Sequence, residues 1–388
     1  MSGGLRIGAV VVVTLACALT GAPTATAIPW DVPGAIPPAQ TPAPTLPDPE
    51  CTQSYADDAP AGGPPLHFGV GPRLAGEAGA AQTTPTVSED KRVRDRRLLQ
   101  LAGKRRLSVR LNRLFQADGG AGIRQFKRMA KHYAGLGFDV TLQVRYHPAP
   151  ERNGDIGAWL DYVRRVVRAF GPIEHVIALQ ITNEANLRFS PNTSDGYYEN
   201  AVEALARGVP AAQHEARRRG YGQLEIGFNY GWRFGADADF WRQVGAAGSE
   251  RLRKATDWVG IDAYPGTYIP STYVDPGDAL LEAIAQLREC MMPLAGFGRR
   301  VPIRVDELGY PTGPGRSEAE QVRALNGFMR TLSRYRGSYN VDEAFWFGLR
   351  DNNSAGCDFQ SFFGLLRDDY SRKPAFDAYR RIIGKLGA

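Results

Sequence analysis

Short apolar runs alternate along the chain with longer segments in which apolar residues recur at helical spacing. The runs at 106–115, 138–147 and 175–184 are nearly continuous in apolar and β-branched residues, as strands that are buried on both faces tend to be. The segment "DIGAWLDYVRRVVRAF" at 155–170 instead has apolar residues three and four positions apart, which is typical of an amphipathic helix. The sequence therefore predicts parallel strands that are covered by helices.

This alternation occurs eight times from residue 67 onward. Further strands are predicted to begin at residue 67 and to span 224–232, 257–266, 301–310 and 342–351. Helices are predicted at 89–103, 122–137, 155–170, 196–219, 237–246, 277–291, 317–336 and 373–386. Eight such units fit a single (β/α)8 barrel of the α/β class better than an open doubly wound sheet, which normally has a glycine-rich phosphate-binding turn. The turn "FGVGPRLAG" at 68–76 lacks that spacing, so nucleotide binding is not indicated.

The first 66 residues do not share the alternation. Residues 1–27 combine a basic start, a short apolar run and the small-residue sequence "ATA" at 25–27, which predicts a secretory signal peptide cleaved after Ala27. Residues 28–66 are rich in Pro and Ala and predict an extended N-terminal extension without a core of its own. The mature protein is therefore expected to be secreted and free of the membrane. A lipid anchor on Cys17 or an uncleaved membrane-anchoring leader are the alternatives.

Charge and cysteine content narrow the possible partners only slightly. The chain has 47 basic and 41 acidic residues. Its densest basic run, at 91–106, has apolar residues at helical spacing and no stacking aromatics, so it predicts a solvated helix face and no nucleic-acid site. Cys51, Cys290 and Cys357 remain after leader removal and allow one disulfide among three possible pairings. Nothing in the sequence indicates an oligomeric state.

Candidate chemistry lies where the predicted strands end, because reactive side chains of such barrels occupy the carboxyl ends of the strands. The fourth strand ends at Asn183 and Glu184, and the seventh at Asp306 and Glu307. Strands four and seven stand nearly opposite each other, so the two glutamates are expected to face each other across the mouth, whereas strand alternation should point Asp306 away as a structural residue. Carboxyls about 5–5.5 Å apart can cleave a glycosidic bond, one as acid and one as nucleophile. Solvated or salt-bridged strand-end charges are the alternative interpretation.

Other kinds of active site have less support. Only five histidines are present, and of these only His147 ends a predicted strand, so a metal site is not indicated. The chain also lacks the G-x-S-x-G motif of serine hydrolases. We expect neither a metal nor an organic cofactor.

These strand ends resemble motifs of the clan A retaining glycoside hydrolases, the barrel superfamily that includes cellulases, mannanases and β-xylosidases. "QITNEAN" is similar to the strand-four motif of that clan, and "PIRVDELGYPT" is similar to its strand-seven motif. Later segments, "SEAEQVRAL" at 317–325 and "FGLLRDDYSRKPAFDAY" at 363–379, extend the resemblance, which spans residues 67–386. Ala185 and Asp306 depart from the residues common at those positions, so the family and the sugar stay open.

The resemblance implies that residues 67–388 form the catalytic domain of a secreted glycosidase. Glu184 would be the acid/base and Glu307 the nucleophile that forms a glycosyl-enzyme intermediate with a polysaccharide or glycoside. Two alternatives remain open: a non-catalytic carbohydrate-binding or cell-wall barrel, and a transglycosylase that uses the same site.

Five further residues are implied as neighbours of the sugar or of the nucleophile. Asn183 would bond the sugar 2-hydroxyl, and Tyr264 would donate a hydrogen bond to the nucleophile. Trp346 would be the apolar floor under the sugar. Arg110 would be the cationic partner of the nucleophile, and His147 would be an additional substrate contact.

Overall fold

Eight parallel strands close into a barrel in the computed structural model, which describes residues 61–72, 86–188, 191–232, 237–268, 273–356 and 359–388. The strands are β1 (His67–Val70), β2 (Ser108–Phe115), β3 (Asp139–Arg145), β4 (Val176–Ile181), β5 (Glu225–Gly231), β6 (Trp258–Ala263), β7 (Ile303–Leu308) and β8 (Val341–Trp346). Each strand pairs with the next, and β8 pairs with β1. The predicted (β/α)8 fold is confirmed.

Helices connect the strands and cover the outside of the barrel. They are α1 (Lys91–Ala102), α2 (Gly119–Gly135), α3 (Ile156–Phe170), α4 (Ala201–Arg219), α5 (Asp237–Ala255), α6 (Pro276–Gln286), α7 (Glu318–Tyr335) and α8 (Pro374–Leu386). Side chains cap the first turns of two of these helices: Asp90 accepts from two backbone amides of α1, and Ser317 and Glu320 form a capping box at α7. Helix α5 runs nine residues beyond its predicted end, across a kink at Ser249.

Several predictions concern parts of the chain outside the described residues. The predicted leader at 1–27 and residues 28–60 of the predicted extension are among these parts, as are Cys51 and Cys357. Cys290, on the π-helical turn that continues α6, is disulfide-bonded. None of the described helices combines the length and the apolar character that crossing a bilayer requires.

Strand β7 contains a bulge that shapes the barrel interior. On its β6 side the register passes from Ile261 opposite Val305 directly to Asp262 opposite Glu307, which leaves Asp306 unpaired. Such an extra residue interrupts strand alternation. The carboxylate of Asp306 accordingly lies over Gly260 of β6, inside the barrel, and the residue is 1% exposed. The expectation that alternation would point Asp306 away from the Glu307 side is therefore wrong.

Barrel closure between β1 and β8 depends on a glycine, which gives a first testable prediction. A Cβ atom on Gly69 would stand 2.1 Å from the ring of Phe345 on β8. We expect Gly69→Ala to lower the free energy of unfolding by about 1–3 kcal/mol, the usual cost of overpacking. Gly135→Ala is the matched control, because a Cβ there meets nothing within 4 Å. Denaturant titration measures both, and equal midpoints for the two variants would contradict the packing.

Candidate active site

Glu307, at the carboxyl end of β7, receives one strong hydrogen bond on each carboxylate oxygen. Arg110 Nη1 of β2 donates to Oε1 at 2.6 Å, and the hydroxyl of Tyr264, just after β6, donates to Oε2 at 2.7 Å. Burial and then the negative charge of Glu307 raise the pKa of Tyr264 well above its ordinary value, so the phenol remains a donor. Charge-assisted bonds of this kind fix a carboxylate in position. The predicted partnerships of Arg110 and Tyr264 with Glu307 are present in the structure.

Glu184 follows β4 through a strained turn. Thr182 and Glu184 both have left-handed backbones, with φ of 66° and 44°, a conformation that is costly for a β-branched residue. Two side chains hold the turn: Asn229 Oδ1 accepts from the Glu184 amide at 2.9 Å, and Asp195 Oδ2 accepts from the Asn183 amide at 2.9 Å. The strain is therefore maintained by buried polar contacts.

The carboxyl group of Glu184 has a different environment from that of Glu307. Among the described residues it accepts only long hydrogen bonds, from Ser194 Oγ at 3.2 Å and from Asn183 Nδ2 at 3.4 Å. Burial, and secondly the negative charge of Glu307, raise the pKa of Glu184 to about 8. This shift favours the protonated form of Glu184, beside a carboxyl group that is held by a guanidinium. Two neighbouring carboxyl groups in such different environments suit the roles of proton donor and nucleophile.

A continuous chain of hydrogen bonds joins the two glutamates. Arg110, which bonds Glu307, also donates through Nη2 to Gln180 Oε1 at 2.6 Å. Gln180 Nε2 donates to Asn183 Oδ1 at 3.2 Å, and Asn183 Nδ2 reaches Glu184. Residues that are 123 positions apart (307 − 184) therefore belong to one polar network at the mouth of the barrel.

Asn183 already makes more hydrogen bonds within the protein than its implied role as a sugar contact suggests. Besides Gln180, its Oδ1 accepts from Gln143 at 2.8 Å and from Asn229 at 3.0 Å. Its Nδ2 donates to Thr193 O at 2.9 Å. Only the long bond to Glu184 is weak, so a sugar hydroxyl would have to replace that bond. Contact between Asn183 and the 2-hydroxyl stays a prediction.

Trp346 lies in the layer between the barrel and α8. It is fully buried, its ring centroid is 6.3 Å from that of Tyr379, and its Nε1 donates to Phe363 O at 3.2 Å. A ring without exposed surface offers no face to a sugar in this conformation. The next residue, Phe347, is partly exposed and contacts Tyr264 edge-on at 5.6 Å.

Phe347 belongs to a group of rings near Glu307, which we call the aromatic wall. Its members pack on one another with centroids 5.2–6.4 Å apart and are Tyr264, Tyr268, Phe347, Phe359 and Phe363. Sequence reasoning chose Trp346 as the aromatic residue of strand eight. The run "FWFG" gave no means of deciding which ring faces the mouth.

His147 lies one loop away from the glutamates. Its ring packs against Phe115 with centroids 4.2 Å apart, and its Nε2 is 3.3 Å from Asn192 Oδ1. Burial lowers the pKa of His147 below its ordinary value. The loop that carries Asn192 continues to Ser194, which touches Glu184. His147 therefore borders the site through this loop, and substrate contact stays a prediction.

Sequence reasoning missed three polar residues on the inner faces of the strands, and it gave no role to Asp262 at the end of the sixth strand. Gln143, Gln180 and Asn229 each interrupt an otherwise apolar strand, and like Asp262 they are buried. Asn229 links three of the site's elements: it accepts from the Glu184 amide and donates to Asn183 Oδ1 and to Asp262 Oδ2. A polar residue in a buried strand was the available signal, because such a residue requires a partner.

The carboxyl groups at the mouth are not arranged as metal ligands. Within the described ranges no group of three or more His, Cys, Asp or Glu side chains could hold a metal ion. The arrangement instead provides a protonated acid and an anchored carboxylate within one network.

Comparison with known proteins matches the fold to carbohydrate enzymes. No protein-family model and no curated protein matches the chain. A GH1 β-glucosidase from Exiguobacterium antarcticum B7 has a TM-score of 0.55 at 14% identity, covering 84% of this chain and 99% of that one. A GH5_18 protein from Streptomyces cattleya, solved with GlcNAc, has a TM-score of 0.53 at 14% identity, covering 83% and 80%.

A glycoside hydrolase family 17 β-1,3-glucanosyltransferase from Rhizomucor miehei is also similar. Its TM-score is 0.50 at 16% identity, covering 80% of this chain and 96% of that one. Such identities establish the fold alone. The neighbours are glycoside hydrolases with the eight-stranded barrel, which agrees with the resemblance of the strand-four and strand-seven motifs.

The protonation of Glu184 makes a prediction about stability. Its folded-state pKa of about 8 lies above the ordinary 4.5. The folded protein therefore keeps a proton that the unfolded chain releases, and the stability this proton supplies is full below pH 4.5 and lost as pH rises towards 8. We expect Glu184→Gln to gain stability relative to the wild type by up to about 1.4 kcal/mol per pH unit across that window.

Denaturant titration at several pH values measures this difference. Glu174→Gln, at an exposed position just before β4, controls for the loss of a glutamate charge. A difference between wild type and Glu184→Gln that stays constant with pH would contradict a protonated Glu184.

Proposed function

We propose that the chain is a retaining glycosidase that cleaves a polysaccharide or glycoside through a glycosyl-enzyme intermediate. The observation that carries the proposal is the contrast between two glutamates of one network. Glu307 is anchored by a guanidinium and a phenol, whereas the pKa of Glu184 is raised by burial and by the charge of Glu307. The glycoside hydrolases among the structural neighbours support the same chemistry.

In the first step the two glutamates act together on the glycosidic bond. A Glu307 oxygen attacks the anomeric carbon, and the bond to the leaving oxygen breaks as Glu184 gives that oxygen its proton. Arg110 and Tyr264 hold Glu307 in line and spare it any reorganisation during attack. The products of the step are an ester between the sugar and Glu307, a free alcohol and an ionised Glu184.

The second step reverses the role of Glu184. Once Glu307 is an ester it carries no charge, so the repulsion that raised the pKa of Glu184 disappears. The ionised Glu184 then takes a proton from water, the water oxygen attacks the anomeric carbon, and Glu307 leaves as a carboxylate. The return of its charge raises the pKa of Glu184 again, which restores the acid for the next turnover.

The aromatic wall and the leader complete the proposal. Sugar C–H faces stack on aromatic rings, and Phe347 and Phe359 offer partly exposed rings in the same cluster as Tyr264.

The predicted signal peptide at 1–27 would deliver the enzyme outside the cell, where polysaccharides are accessible.

Transglycosylation is the second candidate. The neighbour from Rhizomucor miehei is a β-1,3-glucanosyltransferase, and such a reaction needs only a sugar hydroxyl in place of water in the second step. A non-catalytic barrel is less well supported, because it would have no need for a buried acid beside an anchored carboxylate.

Removal of the nucleophile should be repaired by a small anion. Glu307→Gly is expected to lower turnover of an activated aryl glycoside by about 10³-fold or more. Added azide should restore part of the rate by filling the vacated space, and should give a glycosyl azide of inverted anomeric configuration. NMR of the product measures this. Full turnover by Glu307→Gly without azide would remove Glu307 from the nucleophile role.

Removal of the acid should depend on the leaving group. Glu184→Ala is expected to slow poor leaving groups by about 10²–10⁴-fold, the usual contribution of proton donation, and to slow the first step of dinitrophenyl glycosides far less. A leaving-group series in wild type, Glu184→Ala and the surface control Glu174→Gln tests this. Equal losses across the series would count against acid catalysis by Glu184.

A further inference from the structure

A third carboxyl group, that of Asp262, lies beside the nucleophile. Asp262 is near the end of β6, and its Cα is paired with that of Glu307 across the β6–β7 ladder. Paired residues of adjacent parallel strands point to the same face, about 4.8 Å apart. The bulge at Asp306 creates this pairing, because in a regular register Asp262 would have been paired with Asp306 instead of Glu307.

Asp262 has few partners for a buried acid. It has no exposed surface, and Asn229 Nδ2 donates to its Oδ2 at 2.6 Å. Its Oδ1 has no hydrogen-bond partner among the described residues. The two terminal nitrogens of Arg110 donate to Glu307, Asn112 and Gln180. A buried carboxylate with one donor and no salt bridge is strongly disfavoured relative to the neutral acid.

The charges that face Asp262 also favour a proton. Strand β7 contributes Glu307 and Asp306, β4 leads to Glu184, β2 contributes Arg110, and Tyr264 directly follows β6. Burial, then the negative charges of Glu307 and Glu184, raise the pKa of Asp262 well above its ordinary value. Arg110 opposes this shift, but its hydrogen bonds go to Glu307, Gln180 and Asn112.

We propose that Asp262 is a neutral carboxylic acid in the folded enzyme, with its proton on Oδ1 and its Oδ2 accepting from Asn229, and that it acts through Asn229 as a positioning residue for the Glu184 turn. The proposal rests on the glycosidase function proposed above for the same site. A neutral Asp262 leaves the negative charge of the mouth on the attacking carboxylate alone. It also accepts a hydrogen bond from Asn229, whose own Oδ1 accepts from the Glu184 amide and so holds the turn at Glu184.

Infrared spectroscopy of the resting protein tests the protonation without turnover. At about pH 6, between the ordinary pKa of an aspartate and that of a strongly buried one, the wild type should show a protonated-carboxyl C=O component that Asp262→Asn lacks, in addition to the components of Glu184 and Asp306 that both proteins share. Asp278→Asn, at an exposed position, is the matched control and should leave that band unchanged. Identical carboxyl bands in wild type and Asp262→Asn would overturn the proposal.

Kinetics test the positioning role. Asp262→Asn keeps a neutral group that can donate and accept, so it should retain kcat/KM within about threefold and keep the alkaline limb of the pH profile in place. Asp262→Leu is neutral but removes the shorter of the two hydrogen bonds that Asn229 Nδ2 donates, and should lose about tenfold or more in kcat. Asp262→Asn with its alkaline limb shifted to lower pH would show that an anion had been removed and would overturn the proposal, as would full activity of Asp262→Leu.

The two proposals fail in different ways. A wild-type protein that cleaves no glycoside would remove the proposed function, while the infrared comparison would still decide whether Asp262 carries a proton. An active enzyme whose infrared spectrum is unaffected by Asp262→Asn would keep the glycosidase and remove the role of Asp262. Thermal unfolding of each variant identifies any loss of activity that comes from misfolding.

Discussion

The guanidinium of Arg110 is the buried positive charge on which the polar network inside this barrel depends. It lies almost without exposure near the start of β2, and the negative charges of Glu307, Asp262 and Asp306 raise its pKa despite burial. A buried cation is costly unless it is paired and hydrogen-bonded. Its terminal nitrogens reach Glu307, Gln180 and Asn112, so it both compensates the charge of Glu307 and begins the network that leads to Glu184.

The other acids of the site are governed mainly by burial. Glu184 and Asp306 both have pKa values raised to about 8, chiefly by burial, although Arg145 at Glu184 and Arg304 at Asp306 oppose the shift. The contrast between Glu184 and the anchored Glu307 thus follows from burial and from which carboxylate Arg110 bonds. The strained turn at Thr182 and Glu184 is a further cost, offset by the bonds from Asn229 and Asp195.

Much of this could be predicted from sequence because the signals were periodic. Eight alternations of strand and helix patterns predict a closed barrel, and polar residues at strand ends pointed to Glu184 and Glu307. Arg110 and Tyr264 were chosen as partners of Glu307 because of the family resemblance. The missed features depend on register instead. One extra residue in β7 turns Asp306 inward, and the direction of a ring at the end of β8 separates buried Trp346 from partly exposed Phe347. No propensity or periodicity reveals a single-residue shift in pairing.

The close approach of Asp306 to Gly260 limits how the sequence of this barrel can change in evolution. A Cβ atom at position 260 would fall 1.9 Å from Asp306 Oδ2, so the two positions share one volume. A side chain at position 260 can therefore arise only in a lineage where the acid at position 306 has been shortened, lost or moved. As long as Asp306 keeps this place, Gly260 must be inherited with it.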